Sequence, residues 1–236
     1  MKKIIHFAYL WLLSISVTSA LLGCASGSTP LADILSGVAS ESFGSGTEPT
    51  LTAKTNPSFR YLRIEVAGRA PALLVLGYTD AHPQGDIEVW YSAKHEVVKT
   101  QNGRIVGTMG LEVDWRFVRF LSNPPAWTAV PLQGSIYQRL RDEMPGYRYA
   151  IADRVELTPW VGMPPITLSA TLPGNPAHAY SWFRETTFST TAPSLPPAWF
   201  AWGMHRGQLV VVYSEQCLSV SFCLKLQRWP AQENVL

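Results

Sequence analysis

The sequence predicts an all-β protein: an antiparallel barrel-like or two-sheet domain with one short helix. Three observations point there. From Pro57 onward, apolar and polar residues alternate with period two, as they do on strands with one buried face. Gly, Pro, Asn and Asp interrupt that pattern at short intervals. Asn102-Gly103 lies between two apolar runs, and this is the strongest short hairpin signal, because a type I′ turn needs positive φ at both central residues.

The elements follow in order. Arg60, Leu62, Ile64 and Val66 alternate with Phe59, Tyr61, Arg63 and Glu65. Pro71 opens Ala72-Leu73-Leu74-Val75-Leu76, a continuous apolar run that reads as a strand buried on both faces. Asp80 to Gly85 is a turn, and Ile87, Val89 and Tyr91 then alternate with Asp86, Glu88 and Trp90. Glu96–Thr100 and Ile105-Val106 flank the Asn-Gly turn, and Val113, Trp115 and Phe117 carry the next strand, with Trp115 facing the core. Gly134 to Glu143 is the best helix candidate: Ser135 is placed to cap it, Ile136 and Leu140 share a face, and Pro145-Gly146 stops it. Further strands are expected at Tyr147–Ala152, Val155–Leu157, Ile166–Thr171, Ala179–Phe188, Gln208–Tyr213 and Val220–Trp229. Pro-Pro-Ala-Trp occurs at Pro124–Trp127 and again at Pro196–Trp199. The pair marks two related half-sheets or is a coincidence in a chain with 18 prolines.

The N-terminus has a different character. Met1-Lys2-Lys3 precedes an apolar stretch from Ile4 to about Leu13 and then small residues, which is the pattern of a secretory signal peptide. The stretch is short for a membrane span, which needs about 20 apolar residues. It ends in Leu21-Leu22-Gly23-Cys24, which resembles a bacterial lipobox. Residues 1–23 are therefore expected to be removed and Cys24 to carry the lipid. Two or more acyl chains give stable anchoring. By resemblance to sorted lipoproteins, Ala25 in place of Asp implies the outer membrane, on its periplasmic side. Residues 24–56, rich in Ser, Gly, Thr and Pro, read as a tether with one short helix at Leu31–Leu35, and residues 57–236 as the β-rich domain.

Composition narrows the function. Without Lys2 and Lys3 the chain holds 17 basic and 17 acidic residues, so nothing marks it for nucleic acid. An apolar content of 47 % supports a packed core. Setting Cys24 aside leaves Cys217 and Cys223, an even pair in an oxidising compartment, where such pairs usually bridge. On a straight strand their Cα atoms would stand about 20 Å apart, whereas a disulfide needs less than about 7 Å. Either the intervening segment folds back tightly and the two bridge, or both remain small core residues.

Catalytic and metal-binding patterns are lacking. His82, His95, His178 and His205 have no metal-ligand spacing, and no His-Glu-x-x-His, Gly-x-Ser-x-Gly or Walker loop occurs. Glu88 and Asp114 resemble a glycosidase carboxylate pair only in being acidic and close to tryptophans. No cofactor is expected. Aromatic residues are the remaining candidates, because Trp and Tyr stack on sugar rings and suit interfaces. Trp90, on the strand face shared with Glu88, is the surface candidate. Trp199 and Trp202, in a Pro-rich segment read as an exposed loop, are candidates for contact with glycan or a partner.

Several segments carry a family resemblance: Asn56-Pro57-Ser58-Phe59-Arg60, Gly68-Arg69-Ala70-Pro71-Ala72-Leu73-Leu74, Val89-Trp90-Tyr91-Ser92, Asn102-Gly103-Arg104-Ile105-Val106, Asp114-Trp115-Arg116 and Leu226-Gln227-Arg228-Trp229. In this order they resemble the YjbF/GfcB lipoproteins over most of the chain after Cys24. The resemblance implies an outer-membrane lipoprotein of a group 4 capsule or related exopolysaccharide operon, which also encodes a β-barrel outer-membrane protein and a periplasmic β-grasp protein. It supplies no catalytic residues. The expected function is that of a non-enzymatic accessory to polysaccharide production or secretion, binding glycan or a partner protein. The alternatives are a structural partner of an outer-membrane β-barrel and a glycan-modifying enzyme.

Overall fold

In the computed structural model the described residues are 55–166, 172 and 176–230. Cys24, the signal peptide, the tether, the short helix at Leu31–Leu35 and nearly all of the strand expected at Ile166–Thr171 lie outside them. Twelve strands follow one another: β1 (Tyr61–Val66), β2 (Ala72–Asp80), β3 (Ile87–Tyr91), β4 (Val97–Gln101), β5 (Arg104–Met109), β6 (Asp114–Phe120), β7 (Ser135–Met144), β8 (Arg148–Trp160), β9 (Ser181–Ser189), β10 (Ala198–His205), β11 (Gln208–Cys217) and β12 (Cys223–Trp229). Among the described residues a 3-10 turn (Trp127–Ala129) and a four-residue helix α1 (Pro176–Ala179) interrupt them.

All twelve strands join one antiparallel sheet in the order β5-β4-β3-β2-β1-β12-β11-β10-β9-β8-β7-β6. Its two end strands, β5 and β6, are consecutive in sequence, so the sheet curls into a nearly closed barrel. Across the seam the Trp115 amide donates to Thr108 Oγ1 at 2.9 Å. The expected all-β antiparallel class holds.

The predicted helix at 134–143 does not: Ser135–Met144 is β7. Tyr137, Arg139, Arg141 and Glu143 are buried and alternate with Ile136, Gln138, Leu140 and Asp142. This is a period-two pattern in which charged residues occupy the inward positions, so a reading that seeks apolar residues inside misses it. A second correction concerns residues 199–202, read as a loop but lying in β10, a central strand between β9 and β11. The two Pro-Pro-Ala-Trp segments take unlike places. Trp127 sits in the 3-10 turn, buried in the main core. Trp199 enters β10 and meets Trp160 edge to face, with ring centroids 4.9 Å apart.

Twelve strands enclose more space than their own side chains fill, since eight already give an interior just wide enough to pack. Here chain segments fill the excess from both ends. One end, termed the mouth, gathers residues 81–86, Asn102-Gly103, residues 121–134 and the β10–β11 turn. From it the tip of the β4–β5 hairpin enters the interior. Asn102 and Gly103 take φ of 50° and 81°, the type I′ geometry expected. Gly103 lies so close to β11 that a Cβ there would meet Val211 Cβ at 2.4 Å. Gln216 fixes the hairpin: its Oε1 accepts the Ile105 amide and its Nε2 donates to the Gly103 carbonyl, both at 2.9 Å. At the far end the short β11–β12 hairpin turns in, burying Leu218 and Phe222. Cys217 and Cys223 stand opposite each other at its base, joined by a disulfide.

A separate apolar cluster lies on the outer wall of β9–β11, where Trp182, Ala201 and Val212 are covered by Trp160, Leu172, Ala179 and Tyr180.

Replacement of Gly103 by Ala combines a Cβ clash with a positive φ. The expected loss is about 2–3 kcal/mol, measured as a shift in the denaturant midpoint at unchanged slope.

Candidate functional site

A cleft of about 560 Å³ opens at the mouth, between β2–β3 and the β10–β11 turn. Arg60, Thr79, Asp86, Glu88, Asn102, Trp202, Gln208 and Arg228 line it. Glu88 and Arg228 organise its floor. The guanidinium of Arg228 donates to both carboxylate oxygens, at 3.0 and 2.6 Å, and Arg60 adds a looser contact at 3.5 Å. Arg228 also lies over the Trp90 ring, 4.9 Å from its centroid. Trp90 Nε1 donates to Thr100 Oγ1 at 3.0 Å, and that hydroxyl donates to Glu88 at 3.3 Å. Two arginines and two carboxylates balance in charge, and Trp202 supplies the aromatic surface. Beside them His205, on β10, is held down to about 4 by burial and by the nearby Arg228 and Arg206. It is neutral at pH 7.

Behind the cleft the interior is polar and tightly paired. Arg104 meets Glu185 at 2.7 Å, each side chain 3 % exposed. The Arg104 guanidinium lies 3.9 Å from the centroid of Trp127, and Trp127 Nε1 donates to the Asn102 carbonyl at 2.9 Å. Burial, followed by the Glu185 charge, pushes the Tyr137 hydroxyl well above its ordinary range, so it stays protonated. Deeper, Arg139 and Arg141 converge on Asp153 at 3.0 and 2.9 Å, with Trp115 beneath both guanidinium groups. Glu143 bridges Arg141 to Arg148.

The residues predicted from sequence are not gathered in one place. Trp90 is fully buried, a correction to its reading as a surface residue. The face it shares with Glu88 was read correctly, but that face points into the barrel. Trp199 is also buried, at 7 %, because β10 is central and Trp160 covers it. Trp202 is half-buried and lines the mouth cleft. Glu88 and Asp114 lie towards opposite ends of the barrel: Glu88 holds Arg228 at the mouth, while Asp114 accepts the Gly110 and Leu111 amides in the β5–β6 loop. Sequence reasoning missed Arg228 and Arg60. Arg228 shares the phase of the interior residues Leu224 and Leu226, and this was the available signal. Among the described residues no cluster of three metal-ligating side chains occurs, and no described helix is long and apolar enough to cross a membrane.

Fold and site thus define an all-β, barrel-shaped domain with a charge-balanced cleft at one end. The chain belongs to the YjbF family, described as "Group 4 capsule polysaccharide lipoprotein gfcB, YjbF", whose family model matches residues 40–161. It is a family of capsule-polysaccharide-associated lipoproteins and not a known enzyme family. Among solved structures, the hypothetical lipoprotein YmcC from Escherichia coli (K12) is similar, with a TM-score of 0.56 at 17 % identity, over 76 % of this chain and 86 % of that one. At that identity the likeness shows the fold. No curated protein matches the sequence.

Arg104→Met alone leaves Glu185 buried and unpaired and is expected to cost about 3–5 kcal/mol, whereas Arg104→Met with Glu185→Leu recovers most of it. Equilibrium unfolding of both variants decides this. For His205, the unfolded ring binds a proton near 6.5 and the folded ring only near 4. As pH falls through that window the unfolded state is favoured, and stability drops by about 1–2 kcal/mol after allowance for partial exposure. His205→Asn should remove that acid-side slope in melts taken from pH 7 to pH 4.

Proposed function

We propose that this protein is a non-enzymatic outer-membrane lipoprotein, lipidated at Cys24 after loss of residues 1–23 and held on the periplasmic side by a tether of residues 24–56. In this reading it serves capsule or exopolysaccharide production or secretion, and its β domain binds glycan in the mouth cleft. The observation that carries the reading is the cleft itself. It is open, about 560 Å³, and sets the half-buried Trp202 beside the paired Glu88 and Arg228 and the polar side chains of Arg60 and Gln208. Sugar sites combine these two elements, an aromatic face for the ring and polar groups for its hydroxyls. Family membership supports the ligand class. The balanced charge suits an uncharged or weakly charged polymer.

A second reading, a structural partner of an outer-membrane β-barrel, draws on one observation. Beside the β5–β6 seam, Phe117, Leu121 and Ile136 stand exposed on or next to β6. Exposed apolar side chains grouped in this way suit contact with a partner. Photocrosslinking from Phe117 in the native membrane that captures a single barrel protein would select this reading.

For the glycan reading, full-length protein in detergent is expected to bind the polysaccharide of its own source, and Trp202→Ala to weaken binding about fivefold or more. Calorimetry that finds no affinity in the unaltered protein removes the reading.

A further inference from the structure

Two long loops at the mouth share a property that glycan binding in the cleft does not use. Residues 120–138 and residues 157–183 contain no Asp, Glu, Lys or Arg. Each stretch sets an apolar side chain at a turn, where Gly, Pro, Asn, Asp and Ser are the ordinary residues. Leu132 is 92 % exposed and Val161 97 %, with Met163 close by at 38 %. Both turns are closed by hydrogen bonds: the Gly134 amide donates to the Pro131 carbonyl at 2.8 Å, and Trp160 Nε1 to the Met163 carbonyl at 3.4 Å. They are neighbours, because β7 pairs with β8 and a Cβ on Gly134 would stand 2.9 Å from Thr158 Cγ2.

Further along the same rim, Met204 and Leu209 flank the β10–β11 turn and are exposed, Leu209 on the edge of the cleft. The acidic residues Asp80 and Asp86 of the mouth lie on its other side, at β2–β3. At the far end of the barrel, by contrast, Arg69, Lys94, Glu96 and Glu112 occupy the turns.

The chain also enters the domain at the mouth. Residues 56–60 lead into β1 there, and Arg206 of the β10–β11 turn donates to the Phe59 carbonyl at 3.2 Å. A tether of residues 24–56 can span about 110 Å at full extension, so it does not by itself choose which face of the domain meets the membrane. It does hold the domain at high effective concentration beside the bilayer. Under that condition a few exposed apolar side chains are enough to choose the face.

We propose that the mouth rim from β7 to β10 rests on the bilayer that holds the lipid anchor, with Leu132, Val161 and Met163 in the headgroup boundary. Loops without charged residues enter that layer without burying an unpaired charge. The inference rests on the reading of Cys24 as lipidated. It leaves the cleft, on the β2–β3 side, open next to the bilayer surface.

The test places a nitroxide, one site at a time, on Leu132→Cys, on Val161→Cys and, at the far end, on Tyr149→Cys. The lipidated full-length protein is reconstituted on vesicles of phosphatidylethanolamine and phosphatidylglycerol. Cys217 and Cys223 are bridged and Cys24 carries lipid in this reading, so the introduced thiol takes the label. All three side chains are exposed, so the labels leave the packing intact. Collisions with oxygen, which concentrates in lipid, and with a water-soluble nickel chelate report depth. The Leu132→Cys and Val161→Cys labels are expected about 5–10 Å into the headgroup and acyl boundary, and the Tyr149→Cys label in water. Val161→Asp should lift the Leu132→Cys label out of lipid without releasing the protein from the vesicles. Protein that floats with the vesicles while its mouth labels meet nickel as freely as the Tyr149→Cys label overturns the contact and leaves the anchor standing. A Tyr149→Cys label in lipid, or a Leu132→Cys label that Val161→Asp does not move, also overturns it. Protein that does not float with the vesicles overturns both the anchor and the contact.

Discussion

Arg104 and Glu185 meet inside a barrel whose strand count leaves it too wide to pack by its own side chains. Arg104 is the first residue after the Asn102-Gly103 turn, and Glu185 lies on β9, across the barrel from the hairpin. Their contact at 2.7 Å therefore fixes a plug, the β4–β5 tip, to the opposite wall. Trp127 stacks on the same guanidinium and donates to the Asn102 carbonyl, which brings the loop between β6 and β7 into the same assembly. Gln216 completes it by satisfying backbone groups on either side of Arg104. Without that assembly the sheet has no reason to close at this width, and the mouth cleft, bounded by the same turn, has no floor.

A buried ion pair is a poor source of net stability, because desolvation of both charges offsets most of their attraction. What it supplies here is registry. Arg104 has one carboxylate within reach, and only one position of the hairpin brings the two together. The second interior network works the same way: Asp153 receives Arg139, Arg141 and the Ser189 hydroxyl, so three strands are locked in register through one carboxylate. Trp115 lies under both arginines and donates to the Leu218 carbonyl of the disulfide-closed hairpin. Each end of the barrel thus has a plug, and each plug is held by an arginine–tryptophan–carboxylate arrangement.

This logic explains which parts of the fold the sequence revealed. Where the interior is apolar, the alternation was readable: β1 and β12 lie where Leu62, Ile64, Leu224 and Leu226 mark them, and Trp115 is buried as its pattern required. The Asn102-Gly103 turn was legible because its backbone demand is local. β7 was not, because Tyr137, Arg139, Arg141 and Glu143 face inward, and ion pairs with Asp153 on β8 and between Glu143 and Arg141 and Arg148 make those positions tolerable. Trp90 was assigned to the surface for the same reason. It shares a face with Glu88, and a carboxylate ordinarily marks the wet side of a strand, but here Arg228 neutralises Glu88 within the mouth. β10 was hidden by its prolines, which precede the strand and leave it intact. The site was legible only in Trp202; the arginines that shape it depend on strand order, which no local pattern encodes.

The packed interior also constrains any interaction with a polymer. Tyr137, Arg141, Phe200 and Leu157 are almost fully buried along its length, so a chain has no path through the barrel and meets the domain only at its ends or outer wall. The two ends are closed by different pairings. At the mouth, Glu88 and Asp86 balance Arg228 and Arg60 around an open cleft. At the far end, Asp153 lies deep between Arg139 and Arg141, and Glu143 bridges Arg141 to Arg148. The network that locks β7 to β8 therefore also sets which groups reach that end, and Arg148 arrives at the surface with its partner already in place.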